Sequence, residues 1–367
     1  MPIKTQDEVN WNFILAQLRA QRAILMIGPE VARTVNNVAL HTAVLEEFSE
    51  ENKKKMLYYN DDEFFFFRDP IAKTKAIFKV QQFYEKQQPT PIFEDLLRIP
   101  FHFIMSVSPD LMMRGLFKKY NLPHQFDYYK KYENPKDIKT PTIQYPQLYN
   151  LFGCIEDDES LIFTHEDLFE YLFAILGQRK LPHGIEGQLR SAKSFIFLGF
   201  KFDKWYVQLL LRLLGMHTGN YLRYASYTKD SLSCDTLNFS IDHFKIDFID
   251  LSMQDFVKNL TERCAAEGML RDLNTPAEQR TITEQVRELI QQDDLKGALL
   301  KLEDYVDRLP SSDDLMNDLT TLIGSNTRLQ RKVRNGVIRN EEAEVERNRL
   351  NQNVLNLAEV AEDRTPK

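Results

Sequence analysis

No apolar run in this 367-residue chain reaches the roughly 18 residues needed to span a bilayer. The longest approach, Leu209–Leu214, is interrupted by Arg212. The stretch Met1–Glu8 lacks the apolar core of a signal peptide, so a cytoplasmic location is expected. Cysteine is scarce. Cys154, Cys234 and Cys264 are odd in number, far apart and match no zinc spacing, which reads as reduced thiols in a reducing compartment. An excess of positive charge is also missing: 47 Lys and Arg face 54 Asp and Glu, a formal charge of −7. That argues against a broadly basic nucleic-acid binder, leaving room for a local patch. Finally, the last quarter of the chain is nearly free of aromatics. Of 42 Phe, Tyr and Trp residues, 41 precede residue 276, and Tyr305 alone follows.

What is present is ordinary for a soluble protein: 43% hydrophobic and 28% charged residues, with length enough for two or three domains. Large aromatics suit a mixed α/β core, and their disappearance marks a change of core type. The polar stretch before Pro276 therefore divides the sequence into 1–275 and 276–367. In the first part, Ala23–Ile27, Phe101–Val107 and Ser194–Leu198 are short, continuous apolar runs. Helical patterns over Val9–Arg22, Asp69–Gln87 and Thr164–Leu176 alternate with them. Buried strands alternating with helices predict an α/β, Rossmann-like parallel sheet with flanking helices. The second part reads as a small all-α helical bundle of four or five helices. Apolar stripes run through Leu289–Val306, a turn with N-cap residues follows at Pro310, and a helix covers Leu315–Ile323. A break falls at Asn335–Gly336, a last helix starts at Asn340, and the end frays over Glu359–Lys367.

In such sheets ligands bind beyond the carboxyl ends of the strands, which directs attention to the turns at Gly28, Ser108 and Gly199. The first turn, Gly28–Pro29–Glu30, has one glycine, a proline that removes a donor, and a carboxylate that repels pyrophosphate. It reads as a structural turn more readily than a phosphate cradle. Among seven histidines, no pair has metal-ligand helical spacing. His165 stands in Thr164–Asp167, either at the mouth of a pocket or inside an N-terminal capping box. Asp203, after Gly199, reads equally as a helix cap and as a ligand contact. The run Phe64–Phe67 is expected to lie buried under a helical cap and is given no site role.

The runs Leu148–Ile155, Ser160–Leu172 and Phe195–Arg212 together resemble the sirtuin-like domain of bacterial antiphage defence proteins, over roughly residues 9–255. The tail, through Val286–Leu299, Leu315–Arg331 and Asn335–Leu350, resembles an effector-associated, death-like adaptor domain over about residues 281–358. The first resemblance implies a nicotinamide–ribose bond of NAD as the substrate bond, with an Asn that orients ribose and water and a His that acts as base. On this chain the Asn turn becomes Ser106–Asp110, with Ser108 at the Asn position. The Leu-His-Gly turn becomes Leu151–Gly153, with Phe152 at the His position. Phenylalanine moves no proton, and loss of a general base costs about 10²–10⁴ in rate. A serine lacks the paired donor and acceptor of an amide.

The expectation is therefore a sirtuin-like pseudoenzyme joined to an adaptor that recruits protein partners, as a homo-oligomer or in a hetero-assembly with a defence effector. Its degenerate catalytic positions are Ser108 and Phe152. The ligand-contact candidates are Gly28, Glu30, Ser108, Asp110, Gly153, Gly199 and Asp203, for NAD or an ADP-ribose derivative if any cofactor is bound. Two alternatives stand beside it. One is an active NAD glycohydrolase with a rearranged set drawn from His165, Asp110 and Asp203. The other is a sensor of NAD or an ADP-ribose derivative. A scaffold without any ligand is the remaining possibility.

Overall fold

The computed structural model describes residues 3–48, 55–177, 179–219, 221–229, 232–273, 282–291, 294–307, 309, 313–334, 338 and 340–364. The Pro276 linker, the turn residues Pro310–Ser312 and the Asn335–Gly336 break lie outside the described residues, as do the last three positions of the tail. The chain divides into two compact units, Met1–Asp272 and Leu273–Lys367.

The first unit is built on a seven-stranded sheet in which every neighbouring pair is parallel. In chain order its strands are β1 (Ala23–Ile27), β4 (Phe103–Ser106), β5 (Gln125–Tyr128), β6 (Gln147–Asn150), β7 (Ser194–Leu198), β8 (Leu222–Tyr227) and β9 (Ile246–Asp250). The remaining two, β2 (Met56–Tyr59) and β3 (Phe64–Phe67), form a separate antiparallel hairpin. The spatial order is β5-β6-β4-β1-β7-β8-β9. All five residues of β1 and of β7 are buried, which is why these strands carry no polar alternation: helices cover both faces of the sheet. The β9 edge is closed by the N-terminal segment, where Lys4 N donates to Phe248 O at 2.8 Å and Asp250 N donates to Lys4 O at 2.9 Å.

Helices Pro70–Glu85 and His165–Leu176 start on side-chain caps from Asp69 and Thr164. At the second of these, Thr164 and Asp167 form a reciprocal capping box. The Phe64–Phe67 run is a strand, and Phe64 packs against His165 and Tyr206 from two helices. Phe64 and Phe65 are buried, while Phe66 is exposed.

The second unit contains helices Ile282–Gln291, Leu295–Asp307, Asp313–Arg334 and Asn340–Asp363. Its core is aliphatic, centred on Val286, Leu299, Leu302, Leu319 and Val354, with Tyr305 half-buried against it. The third helix runs well past Ile323 and the last continues into the stretch expected to fray. Among the described residues no helix is long and apolar enough to cross a membrane.

Candidate functional site at the carboxyl ends of the strands

The chain leaves β1 for β4 on one side and later returns to β7 on the other, so strand order reverses at β1. The crevice beyond that reversal is where an open α/β sheet presents a ligand site. Its first wall is the turn after β1. Gly28 N donates to Leu198 O at 2.7 Å, Glu30 N to Gly199 O at 3.2 Å, and Val31 N to Gly28 O at 3.3 Å; Pro29 has no N–H. No backbone donor over Gly28–Val31 is left to cradle an anion. A Cβ on Gly28 would lie 2.1 Å from Gly199 O, so this glycine permits one turn to lie on the other. Gly199 is required twice over: its φ is +66°, and a Cβ there would sit 2.8 Å from Val31 N.

Charged side chains fill the space above these turns. Glu30 pairs with Arg33 at 2.8 Å and with Lys201 at 3.1 Å. The tip of the β2–β3 hairpin, Asp61–Glu63, reaches the same place. Glu63 accepts from Lys201, the Lys204 ammonium donates to the Asp61 carbonyl, and Trp205 Nε1 donates to Asp62 at 3.1 Å. Burial alone would lower the Lys201 pKa, but the Glu63 and Glu30 carboxylates overcome it and hold the ammonium above its ordinary value.

Two imidazoles approach this cluster. His165 Nε2 lies 2.9 Å from Asp62 Oδ2, and its ring packs edge-on against Phe64. His41 Nε2 lies 3.4 Å from Glu30 and 3.7 Å from Glu63, yet neither of its buried ring nitrogens makes a hydrogen bond. Burial, with Lys201 nearby, pushes the His41 pKa down and favours the neutral ring.

The β4 and β6 turns are set apart from the ionic cluster. Ser108 is buried, with its N–H donated to Ser106 Oγ at 3.0 Å. Asp110 is also buried. Its Oδ1 accepts from Met112 N at 2.9 Å, its Oδ2 has no partner, and burial raises its pKa. Phe152 packs at 5.3 Å from the Tyr171 ring and 6.3 Å from Tyr206, inside an aromatic group that continues to Phe64. Gly153 has a φ of +87°, and a Cβ on it would stand 2.3 Å from Ser160 O. Its lack of a side chain serves that close approach.

The sequence-derived residues thus fall into three places. Glu30, Gly199 and Asp203 line one cleft of about 710 Å³ beyond β7, β8 and β9. Asp110 lines a small cavity with Ser106 and Asn150. Phe152 and His165 belong to the aromatic group. The cleft carries Arg33, Lys201 and Lys204 on one wall. On the other lie Ser233 and Ser252, the N-caps of helices Cys234–Phe244 and Met253–Ala266. Cations, helix N-termini and the floor rings Phe200 and Phe202 suit an anionic ligand with a flat apolar part. His41, Glu63, Lys201 and Lys204 escape sequence reading. Lys201 and Lys204 stand beside Asp203 and alternate with apolar residues, a pattern that could have flagged them; Glu63 and His41 carry no local signal. Among the described residues, no group of three or more His, Cys, Asp or Glu side chains is placed to hold a metal ion.

Residues 106–233 match the family model of the SIR2-like domain, and residues 281–362 match that of effector-associated domain 11. The first match includes Ser108, Asp110, Phe152, Gly153, His165, Gly199 and Asp203; Gly28 and Glu30 lie outside it. No curated protein matches the sequence. Among solved structures, one described as "Structural Basis for the Mechanism and Regulation of Sir2 Enzymes" is similar over 70% of this chain and 98% of that one, at 9% identity and a TM-score of 0.36. The chain thus carries a segment similar to the SIR2-like domain and, after it, one similar to effector-associated domain 11.

Proposed function

We propose that this chain is a cytoplasmic adaptor of a bacterial antiphage system. In this reading its sirtuin-like body, residues 1–275, has lost NAD cleavage and keeps a nucleotide-sensing cleft, while its C-terminal bundle, residues 276–367, recruits protein partners or assembles with copies of itself. One observation carries the reading: the crevice where strand order reverses is occupied by the protein's own Glu30 and Glu63 carboxylates, over a turn whose backbone donors are already engaged. A dinucleotide lying there would set its pyrophosphate against two carboxylates with no amide to receive it. The proposal also rests on Phe152, which resemblance aligns with the family's base and which can neither accept nor deliver a proton. The cleft beyond β7–β9 shares Glu30, Gly199, Lys201 and Lys204 with that crevice and extends past them to the Ser233 and Ser252 helix N-termini, where a phosphate-bearing nucleotide has room.

The test is nicotinamide release from NAD by the purified full-length chain, with and without induced oligomerisation. The expected result is release at the buffer rate in both states; robust turnover overturns the reading.

A second reading, an NAD glycohydrolase with a rearranged set, draws support from the His165–Asp62 pair at 2.9 Å, in which a carboxylate orients an imidazole. It expects turnover that His165→Ala abolishes. Turnover that survives His165→Ala but not His41→Ala would move the base to the second ring.

A further inference from the structure

The β2–β3 turn is held by charge more than by packing. Its Asp61 carbonyl, Asp62 carboxylate and Glu63 carboxylate are bound by Lys204, by Trp205 with His165, and by Lys201 respectively. All of these partners follow β7 or open a helix at the carboxyl end of the sheet. Glu63 takes a φ of +63°, a left-handed backbone that is costly for a residue with a Cβ. Beyond the turn the hairpin is half in solvent: Leu57 and Phe66, paired across it, are 46% and 48% exposed, while Met56, Phe64 and Phe65 are buried. Among the described residues its one β-bridge to another segment is Phe65–Thr164, and its rings also pack on Phe48, Phe163, His165 and Tyr206. The tip, residues 60–63, has no buried side chain, which places it nearest the low-stability end of the hairpin.

Lys201 and Lys204, which bind this turn, also line the 710 Å³ cleft. One set of ammonium groups therefore serves two sites: on one side the hairpin tip, on the other any anion in the cleft. We infer that the 60–63 turn is a carboxylate latch, and that a ligand bearing a phosphate or pyrophosphate in the cleft releases it by taking Lys201 and Lys204 from Glu63 and Asp61. The chemistry favours exchange. A phosphate brings more charge and more acceptor oxygens to the same donors than a carboxylate does. The ligand shifts the hairpin only through this differential contact, so the coupling is reciprocal: weakening the latch must tighten ligand binding. The inference rests on the nucleotide-sensing reading above and names how occupancy would be signalled, by loosening of residues 56–67.

The probes are ADP-ribose, inorganic pyrophosphate and adenosine, binding to the full-length chain by calorimetry, together with hydrogen exchange of residues 56–67. ADP-ribose contains no nicotinamide, so the result is independent of whether NAD is cleaved. Removing the competing charge in Glu63→Gln is expected to tighten ADP-ribose and pyrophosphate binding by about tenfold. Adenosine, which has no phosphate, should bind the variant and the wild type alike. Lys201→Met combined with Lys204→Met should abolish pyrophosphate binding. In the unmodified protein, saturating ADP-ribose should raise exchange across 56–67, a readout that needs no variant to fold. The latch is refuted if Glu63→Gln binds no tighter, if exchange over 56–67 stays constant or falls on saturation, or if none of the phosphate probes binds either protein. Nicotinamide release with normal latch behaviour would overturn the pseudoenzyme reading alone.

Discussion

Replacing Asp167 tests whether buried charge fixes the helix that begins at His165. Asp167 Oδ1 accepts from Lys73 at 2.7 Å and from Lys131 at 2.9 Å. Its Oδ2 accepts from Thr164 Oγ1 at 2.8 Å, Thr164 N at 2.9 Å and Phe163 N at 3.2 Å. The Lys131 and Asp167 side chains are 3% and 7% exposed. Burial alone would raise the Asp167 pKa; the bonds from Lys131 and Lys73 overcome it and hold the carboxyl below its ordinary value. Asp167→Ala leaves the Lys131 ammonium with Glu170 at 3.2 Å, the Leu161 carbonyl at 3.4 Å and the Tyr132 ring at 5.3 Å, and Glu170 is partly in solvent. Removing one partner of a buried pair costs about 3–5 kcal/mol, and losing half of a capping box adds about 1 kcal/mol. The expected loss, about 4–6 kcal/mol, is a large share of the ~5–15 kcal/mol that holds a typical domain.

Lys131→Met leaves the carboxylate with Lys73 and three local donors, so about 1–3 kcal/mol is expected. Lys73→Met removes a third-exposed partner and should cost less than about 1 kcal/mol. Both tryptophans of the chain, Trp11 and Trp205, lie in the first unit, so urea unfolding followed by tryptophan fluorescence reports that unit alone. Because the folded pKa of Asp167 is depressed, its contribution is present above the ordinary value of 3.8 and is lost as pH falls through the folded value. The deficit of Asp167→Ala against wild type should therefore narrow below pH 3.8. A deficit under about 1 kcal/mol at neutral pH, or a Lys131→Met loss equal to that of Asp167→Ala, refutes the reasoning.

Three further outcomes are expected. Gly199→Ala should destabilise by about 2–4 kcal/mol, from left-handed strain plus the clash with Val31, whereas Gly268→Ala, also left-handed but with open space around the new methyl, should cost only about 1 kcal/mol; equal thermal shifts would remove the turn-on-turn argument. Arg271 donates to the carbonyls of Leu97 at 2.9 Å, Ile99 at 2.6 Å, Ile143 at 3.4 Å and Phe101, so Arg271→Met should cost at least about 2 kcal/mol in urea melts, and Arg271→Lys should not restore the loss because one ammonium cannot span these acceptors. Burial pushes the His102 pKa from 6.5 down to about 4 despite its 3.1 Å contact with Gln188, so the native state resists a proton that the unfolded chain accepts; stability should fall as pH drops from 6.5 to about 4, and a His102→Gln variant with an unchanged slope over that window would contradict this.

Legibility in the sequence followed the range of the contact. The strands Ala23–Ile27 and Ser194–Leu198 are found residue for residue, because a strand buried on both faces must be a continuous apolar run. The Thr164–Asp167 box is equally local and equally readable. Phe64–Phe67 shows no alternation, and a four-residue apolar run does not separate a strand from a buried helix turn. In the tail, helix Asp313–Arg334 continues through Gly324, Ser325, Asn326 and Thr327, residues of modest helix propensity. Packing of Leu329 into the bundle core outweighs that preference. The ionic cluster was illegible for another reason. Glu63 and Lys201 lie 138 positions apart, and nothing periodic in either neighbourhood announces that they meet.

The two turns that resemblance links to NAD chemistry and the turn after β1 have a feature in common. A position that merely lost a catalytic side chain would leave an unfilled recess or an unpaired polar neighbour. Here the replacement has a structural task at two turns and part of one at the third. Phe152 is one ring of an aromatic group, and Glu30 is the carboxylate of an ion-pair cluster. The Ser108 N–H is satisfied by Ser106, yet Asp110 two residues on keeps one buried oxygen without a partner. The β4 turn is thus the least resolved of the three by packing, and it lies away from the cluster that closes the crevice. If NAD cleavage has been lost as proposed, restoring an imidazole at residue 152 is not expected by itself to rebuild a site. The ring would stand between Tyr171 and Tyr206, while Glu30 and Glu63 continued to occupy the crevice and the amides after β1 remained bound to the turn after β7. On the proposed reading the obstacle to chemistry is distributed over contacts that also hold the fold together, and the hairpin tip, bound by exchangeable charge, is the part that a ligand would move.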